Sequence, residues 1–247
     1  MKKHAFLFLL FFLFVNCTKE LTFEKKTFEK KSSLACIEDC PEISVTIPIA
    51  ENIPIVADSI NKKVLHTIME IAYFGDKPKE ITSVDQVIAS FISSYEDIKK
   101  KFPDETIGWI AEINGTVDYQ TKEIINLKIE HNSYTGGAHG FHGFQSLLFD
   151  AKTGKSLKPS DLFADKKSFM ALAEKEFRKK YKIQKNKSLN STGLIFPNAK
   201  FELPINIFYT SQGLLLYYNA YEIASYSDGP KELLLPYETL KNYLKYD

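Results

Sequence analysis

The chain has 247 residues, of which 44% are hydrophobic, and this proportion is usual for a protein that folds around a core. Its 32 basic and 31 acidic residues give a net charge of only +1. This near balance argues against a nucleic-acid partner and against electrostatic capture of a polyanion.

The first 16 residues have the pattern of a secretory signal peptide. A basic start (residues 2–4) precedes an apolar run (residues 5–15) that is shorter than the roughly 20 residues needed to cross a bilayer. The segment LFVNC (residues 13–17) is similar to a lipobox, so we predict that Cys17 is acylated and anchors the protein to a membrane. The alternative is ordinary cleavage nearby, which leaves Cys17 as a free thiol.

A chain with this leader is predicted to lie in the bacterial cell envelope, outside the cytoplasm, at the outer membrane or the cell surface. Removal of residues 1–16 leaves 231 residues with a net charge of −1, because two lysines are lost. This length suits one large domain or two small ones. We predict one domain over residues 42–247, with a division into 42–140 and 141–247 as the alternative, and we expect a monomer.

Residues 17–41 are predicted to be a flexible tether. The pentapeptide TFEKK occurs twice in succession (Thr22–Lys31), and charged repeats of this kind are typical of solvated linkers. Cys36 and Cys40 are four residues apart in an exported chain, which predicts a local disulfide. A two-thiol metal site and two free thiols are the alternatives.

The first half of the domain is predicted to contain a strand and two helices. Residues 42–50 alternate between apolar and polar side chains, which indicates a half-buried strand. Asp58 is predicted to cap a helix over residues 59–74, whose apolar residues then share one face. A Ser-x-x-Gln capping box that begins at Ser83 predicts a second helix ending near Lys101.

From residue 106 onward the apolar period changes to two, which predicts strands. The predicted elements are strands over residues 106–119, 123–134 and 143–150, a helix over 166–182, a hairpin of 203–209 with 214–219, an aromatic loop over 221–229, a strand over 231–235 and a helix over 237–244. Strands and helices are segregated, so the predicted class is α+β, with mainly antiparallel sheets and helices packed on one face.

Three blocks of the sequence resemble a known family. They are SYTGGAHG (residues 133–140), FDAKTGKSLKPSDLF (residues 149–163) and GLLLYYNAYEIASYSDGPKELLLPYETL (residues 213–240). In this order they resemble the extracytoplasmic domain shared by RsiV-like anti-sigma factors and the N-terminal regions of PdaC-like peptidoglycan deacetylases. The matching positions are residues 134–139, 150, 153–154, 162–163, 221–224, 226 and 229–230.

The resemblance implies a non-catalytic α+β module outside the cell that spans residues 42–244. In the anti-sigma relatives this module binds lysozyme, and in the deacetylases it accompanies a catalytic domain that acts on the cell wall. We recognise neither a sigma-binding part nor a deacetylase domain in this sequence, so we expect only a binding surface to carry over.

The candidate binding residues lie in the first and third blocks. In the first block they are Tyr134, Gly136, Gly137 and His139. Glycine accepts positive φ in a tight turn, so a backbone role for the pair is the main interpretation and ligand contact is the alternative. We expect the His139 side chain to bond the turn backbone.

The third block contributes Tyr221, Glu222 and Tyr226 to the predicted binding set. A tyrosine offers a large contact area with only two torsions to fix, and its hydroxyl forms hydrogen bonds. Strand alternation places Tyr217 or Tyr218 at the edge of the core instead.

Neither a metal site nor a catalytic site is predicted. His131, His139 and His142 would form a metal trio only if the hairpin brought them together, and their spacing fits no established zinc motif. No serine lies in a nucleophile elbow, and turn and cap roles explain Asp150 and Asp161 better than acid–base chemistry with Glu222. We therefore predict no enzyme and no cofactor.

The expected partner is a lysozyme-like muramidase or peptidoglycan, and the alternatives are an envelope enzyme acting on wall glycans or a structural envelope component.

Overall fold

A computed structural model describes residues 20–34, 40–73, 81–104 and 108–246 of the chain. Its strands and helices are segregated, so the predicted α+β class is confirmed. Cys17 and Cys36 lie outside the described residues, and acylation of Cys17 and a disulfide between Cys36 and Cys40 therefore stay predictions. No helix in the described ranges is both long and apolar enough to cross a membrane.

Six strands form the first sheet, and they lie side by side in chain order. They are β1 (Thr22–Lys31), β2 (Glu42–Glu51), β3 (Ile110–Gln120), β4 (Ile124–Tyr134), β5 (Phe141–Asp150) and β6 (Ser156–Leu157). All neighbours are antiparallel except β2 and β3, which pair in parallel. A parallel pair needs a long crossover, and helices α1 (Pro54–Ala72) and α2 (Val84–Lys101) lie in this one.

One face of the first sheet packs against α1 and α2. On β4 the alternate residues Ile125, Leu127 and Ile129 are buried on this face together with residues of both helices. The buried side of the strand, formed by alternate residues, therefore packs against the apolar stripe that the sequence predicts for the helices. Burial of these apolar side chains forms the first core of the domain.

The predicted tether is wrong for Thr22–Lys31, which form β1 at the edge of the first sheet. All ten residues pair with β2, from Thr22 opposite Glu51 to Lys31 opposite Glu42. Phe23 and Phe28 pack against the first core. The charged residues between them suit an edge strand, because lysine and glutamate discourage further strand pairing there.

The predicted start of α1 is also corrected. The helix begins at Pro54, a residue that favours the first helical turn because its missing N–H would have no partner there. Asp58 therefore lies inside the helix, where it forms an ion pair with Lys62 at 2.8 Å. The Ser83 cap of α2 is confirmed, since its hydroxyl accepts from the Gln86 N–H at 3.3 Å.

The second core lies on the other side of the first sheet. It contains Ile124 and Leu148 of the first sheet together with residues of a second sheet and a third helix. Along their strands, Ile124 and Leu148 alternate with residues of the first core. These elements are α3 (Lys166–Lys180) and the antiparallel strands β7 (Asn206–Tyr209), β8 (Gly213–Tyr218) and β9 (Lys231–Pro236), followed by the short helix α4 (Tyr237–Leu240). Helices α1 and α2 thus share one face, as predicted, whereas α3 belongs to the second core.

Asparagine side chains connect the two sheets. The β5 residues Phe144 and Ser146 lie beyond the reach of β6, which pairs only with Leu148 and Phe149. Asn219 accepts from the Phe144 N–H at 2.9 Å and donates to its carbonyl at 2.8 Å. Asn206 accepts from the Ser146 N–H at 2.8 Å. Side-chain amides therefore satisfy backbone groups of β5 that another strand would otherwise pair with.

The turn between β5 and β6 is fixed by one carboxylate. Asp150 Oδ1 accepts from the backbone N–H of Lys152 at 3.0 Å and of Thr153 at 2.9 Å. Ser59 of α1 donates its hydroxyl proton to the Gly154 carbonyl at 2.7 Å. The turn is therefore docked on the first part of α1.

We expect Gly154→Ala to lower the free energy of unfolding by about 2 kcal/mol. Its φ is +70°, and an added Cβ would lie 2.8 Å from the Val56 carbonyl oxygen and 2.9 Å from the Val56 Cα, both backbone atoms. Gly193→Ala is the matched control, because φ is +90° there but nothing lies within 4 Å of the added carbon. Urea titration would measure both variants, and equal losses would contradict a steric role for Gly154.

Candidate functional site

The TGGAHG turn joins β4 to β5 at one end of the first sheet. Gly136 and Gly137 have φ of +102° and +97°, and a Cβ on either would meet no atom within 4 Å. The Tyr134 hydroxyl donates to the Gly137 carbonyl at 3.0 Å. The positive φ predicted for both glycines is therefore observed, and conformation rather than crowding explains their presence.

His139 brings this turn together with the third sequence block. Its ring stacks on Tyr226 with 4.0 Å between centroids and 15° between planes. Its Nδ1 bonds the Gly140 carbonyl at 2.8 Å, as expected of a backbone role, and Tyr226 donates its hydroxyl to the same carbonyl at 3.1 Å. We name His139, Tyr221 and Tyr226 the aromatic cluster.

Tyr221 forms the outer edge of the aromatic cluster. Its ring lies 5.3 Å from that of Tyr226, and its hydroxyl lies 3.4 Å from His139 Nε2. Because His139 donates from Nδ1, its Nε2 is the atom that accepts from this hydroxyl. Tyr221 is 54% exposed, and its φ of +71° is unusual for a residue other than glycine. The fold therefore holds this ring outward.

Other residues of the third block serve the fold itself. Glu222 accepts from the backbone N–H of Ile205 at 2.9 Å and of Asn219 at 3.0 Å, and its partial burial raises the pKa of this carboxyl. Tyr218 is buried in the second core while Tyr217 is half-buried, as alternation on β8 predicts. The carboxylate of Glu222 is thus engaged by the backbone.

A cleft opens beside the turn, with a volume of about 360 Å³. It is lined by Ile110, Glu112, Asn132, Ser133, Tyr134, Gly140, Phe141, His142 and Tyr226. Asn132 Oδ1 lies 2.6 Å from His142 Nδ1, and Glu112 accepts from Asn114 at 2.8 Å. Three strand ends and Tyr226 of the aromatic cluster thus combine aromatic rings with amide, imidazole and carboxylate groups in one concavity.

Several cleft residues were missed by the sequence reasoning. Ile110, Glu112, Asn132 and Phe141 come from three strands, and their proximity depends on strand register. Ile110 pairs with Tyr134 and Glu112 pairs with Asn132 across β3 and β4. The available signal was the run of polar residues at alternate strand positions on a face that the helices leave uncovered.

The three histidines do not converge. His131 and His142 belong to neighbouring strands but point to opposite faces of the sheet, because His142 pairs with Asn132 rather than with His131. His131 is 7% exposed, and its buried Nδ1 has no hydrogen-bond partner. Burial and the nearby His142 lower the pKa of His131 to about 4. In the part of the chain that the structure describes, no three potential ligand side chains are grouped for a metal ion.

Two family models match separate segments of the chain. Residues 34–142 match the model described as deacetylase PdaC, and residues 160–238 match the model described as protein of unknown function (DUF3298). The first segment contains the glycine turn and the second contains Tyr221 and Tyr226, so the aromatic cluster joins the two matched segments. No curated protein matches the chain.

Two solved structures are similar over almost the whole length. A crystal structure of a DUF3298 family member from Bacteroides fragilis NCTC 9343 has a TM-score of 0.67 at 23% identity, covering 92% of this chain and 94% of that one. A crystal structure of a DUF3298 family protein from Pseudomonas aeruginosa PAO1 has a TM-score of 0.63 at 22% identity, covering 91% of this chain and 94% of that one. At these identities the likeness shows the fold. The chain thus has one segment that matches the PdaC model followed by one that matches the DUF3298 model, and the predicted resemblance to PdaC-like extracytoplasmic regions is confirmed.

Proposed function

We propose that this protein is a cell-envelope lipoprotein, anchored through Cys17, whose domain binds the glycan of the cell wall without catalysing its conversion. The observation that carries the proposal is the cleft at the end of the first sheet. It places the rings of Tyr134 and Tyr226 beside the polar groups of Glu112 and Asn132. Ligand sites in proteins commonly combine apolar walls with a few fixed polar groups.

The chemistry of a wall glycan suits this lining. The C–H face of a sugar ring is apolar and packs on an aromatic ring, while its hydroxyl and acetamido groups need hydrogen-bond partners. The Glu112 carboxylate accepts such bonds, and the Asn132 amide both accepts and donates them. Glu112 and Asn132 face each other across β3 and β4, so one ligand can contact both.

The surroundings of the cleft are held in place before any ligand arrives. Tyr226 is fixed by its stack on His139 and by its bond to the Gly140 carbonyl. Phe141 stacks on the buried His131 ring at 5.5 Å. Rings that are already ordered lose little conformational entropy on binding, which favours affinity.

The test is a calorimetric titration of the mature chain carrying Cys17→Ser, which cannot be acylated, with soluble peptidoglycan fragments. We expect binding that weakens about tenfold in Tyr134→Ala, which corresponds to ~1.4 kcal/mol. Tyr221→Ala is the matched control, because this tyrosine is exposed but does not line the cleft. Circular dichroism would verify that both variants fold.

Three outcomes would contradict the proposal. They are the absence of binding, equal loss in both tyrosine variants, and release of new products from the fragments by the folded protein. The last outcome would favour an envelope enzyme, and a matching loss of that activity in His139→Ala would place the reaction at the turn.

A lysozyme-like protein is the second candidate partner. Ile110, Phe141 and Tyr221 are exposed apolar or aromatic side chains near the same end of the domain, and such residues are enriched at the centres of protein interfaces. Titration with lysozyme in place of the glycan distinguishes the two candidates. Binding of lysozyme with loss in Tyr221→Ala and no binding of fragments would favour the protein partner.

A further inference from the structure

Because Thr22–Lys31 form β1 rather than a tether, only a short link separates the proposed anchor from the domain. Only five residue steps separate Cys17 from Thr22, where β1 begins. A fully extended chain spans about 3.5 Å per residue, so a lipid on Cys17 keeps Thr22 within about 18 Å of its attachment point. This distance is shorter than the first sheet is long, so the anchor restricts which end of the domain meets the membrane.

The two ends of the first sheet are well separated. Thr22 pairs with Glu51 at one end, whereas Lys31 pairs with Glu42 at the other. Glu42 in turn lies beside Ile110, a residue of the cleft. Nine steps along a strand at about 3.4 Å each place the cleft about 30 Å from the Thr22 end.

Three turns surround Thr22 at its end of the sheet. Asn52, in the connection from β2 to α1, donates to the Thr22 hydroxyl at 2.7 Å. Gln120, where β3 turns into β4, donates to the Leu21 carbonyl at 3.3 Å. The β5–β6 turn joins them, because the Ala151 N–H donates to the Glu123 carbonyl at 2.9 Å. We name these three turns the anchor-side end.

The anchor-side end presents one strongly exposed apolar side chain and several exposed lysines. Ile55, in the first turn of α1, is 82% exposed, the largest exposed fraction among the large apolar residues that the structure describes. Lys122, Lys152 and Lys155 are exposed on the adjoining turns. Lys152 lies 3.9 Å from Glu123 in a solvent-exposed pair that has little influence on stability. An exposed isoleucine at the same end as three exposed lysines suits the interface of a membrane with anionic headgroups.

We infer that the anchor-side end rests on the membrane that holds the lipid, with Ile55 in the headgroup region and the cleft facing away. This inference rests on the lipid anchor proposed above. It assigns the membrane surface as the partner of Ile55 and of the three lysines. It also fixes the direction from which a ligand reaches the cleft, which is the side opposite the anchoring membrane.

Tryptophan quenching tests this orientation. The acylated mature protein would be reconstituted in vesicles of phosphatidylethanolamine and phosphatidylglycerol that contain lipid with a nitroxide on its headgroup. Ile55→Trp would report on the anchor-side end, and Ile110→Trp would be the matched control beside the cleft. We expect several-fold stronger quenching in Ile55→Trp, while the native Trp109, which is buried near the control position, gives the common background.

Flotation of the vesicles measures anchoring independently of orientation. If the protein floats and the two variants are quenched equally, or Ile110→Trp is quenched more, the inferred orientation is wrong although the anchor stands. If the protein does not float, the anchor itself is refuted and the inference fails with it. A flexible Gly/Ser spacer of about 20 residues inserted before Thr22 should preserve flotation and remove the difference between the variants.

Discussion

Asn126→Ala is expected to lower the free energy of unfolding by about 4 kcal/mol, the largest effect that we anticipate for a single substitution. Asn126 lies on β4 and is fully buried between the two sheets. Its Oδ1 accepts from the Tyr209 N–H at 2.8 Å, and its Nδ2 donates to the Ser146 hydroxyl oxygen at 2.9 Å. Alanine would leave the Tyr209 N–H buried without its acceptor and would open a cavity.

Urea unfolding of the non-acylated mature chain would measure this loss. Asn114→Ala is the control, because Asn114 lies on β3 at the partly exposed surface and, among the described residues, its side chain bonds only Glu112. We expect the control to stay within about 0.5 kcal/mol of the parent. A loss below about 1 kcal/mol in Asn126→Ala would show that the Asn126 hydrogen bonds contribute little to holding the two sheets together.

The second large effect is a dependence of stability on pH through His131. Its folded pKa of about 4 lies below the value of 6.5 for an unperturbed histidine. Above pH 6.5 the ring is neutral in both states, and this contribution to stability is fully present. Between pH 6.5 and pH 4 the unfolded state takes up a proton that the folded state does not, so stability falls as the pH falls. Below the folded pKa no further loss from this residue is expected.

Each pKa unit of difference corresponds to about 1.4 kcal/mol, so the loss over this range approaches about 3 kcal/mol. We expect His131→Phe to remove that part of the pH dependence, because phenylalanine keeps the contact with Phe141 but does not titrate. His66→Ala is the control, since His66 is an exposed residue of α1. Among the described residues, its ion pair is with Glu70. The free energy of unfolding of the parent and of both variants, measured across this pH range, tests the prediction. Parallel curves for the parent and His131→Phe would contradict the assignment.

Local sequence signals predicted most of the elements. The change of apolar period after residue 106 correctly indicated β3, β4 and β5, whose faces alternate between the core and the surface. The Ser83 cap and the apolar stripe of α2 predicted that helix correctly. These features depend on side chains within a few residues of each other, and sequence reasoning captures such short distances.

The edge strand β1 could not be recognised in the same way. Its repeat of five residues follows neither the period of a strand nor that of a helix, and most of its side chains are exposed. What makes it a strand is its backbone pairing with β2, which lies on the far side of the segment that carries Cys36 and Cys40. Composition alone does not distinguish an edge strand from a linker, because lysine and glutamate are common in both environments.

The candidate site was predicted in part. The turn glycines, His139 and Tyr226 were identified because they are neighbours in sequence blocks. Tyr226 is 86 residues from Gly140 in the sequence, and the hydrogen bond between its hydroxyl and the Gly140 carbonyl depends on how the second sheet docks on the first. That docking uses Asn206 and Asn219, and isolated asparagines give no recognisable pattern in a sequence.

Anchored proteins are crowded into two dimensions, and an open strand edge in such a layer invites one copy to extend the sheet of the next. The outer side of β1 is that edge, and six of its ten residues are lysine or glutamate. Adding a second strand there would remove several of these charges from water, which costs more than the new backbone bonds return. For a chain anchored as proposed, the TFEKK repeat would therefore keep adjacent molecules from extending one another's sheet.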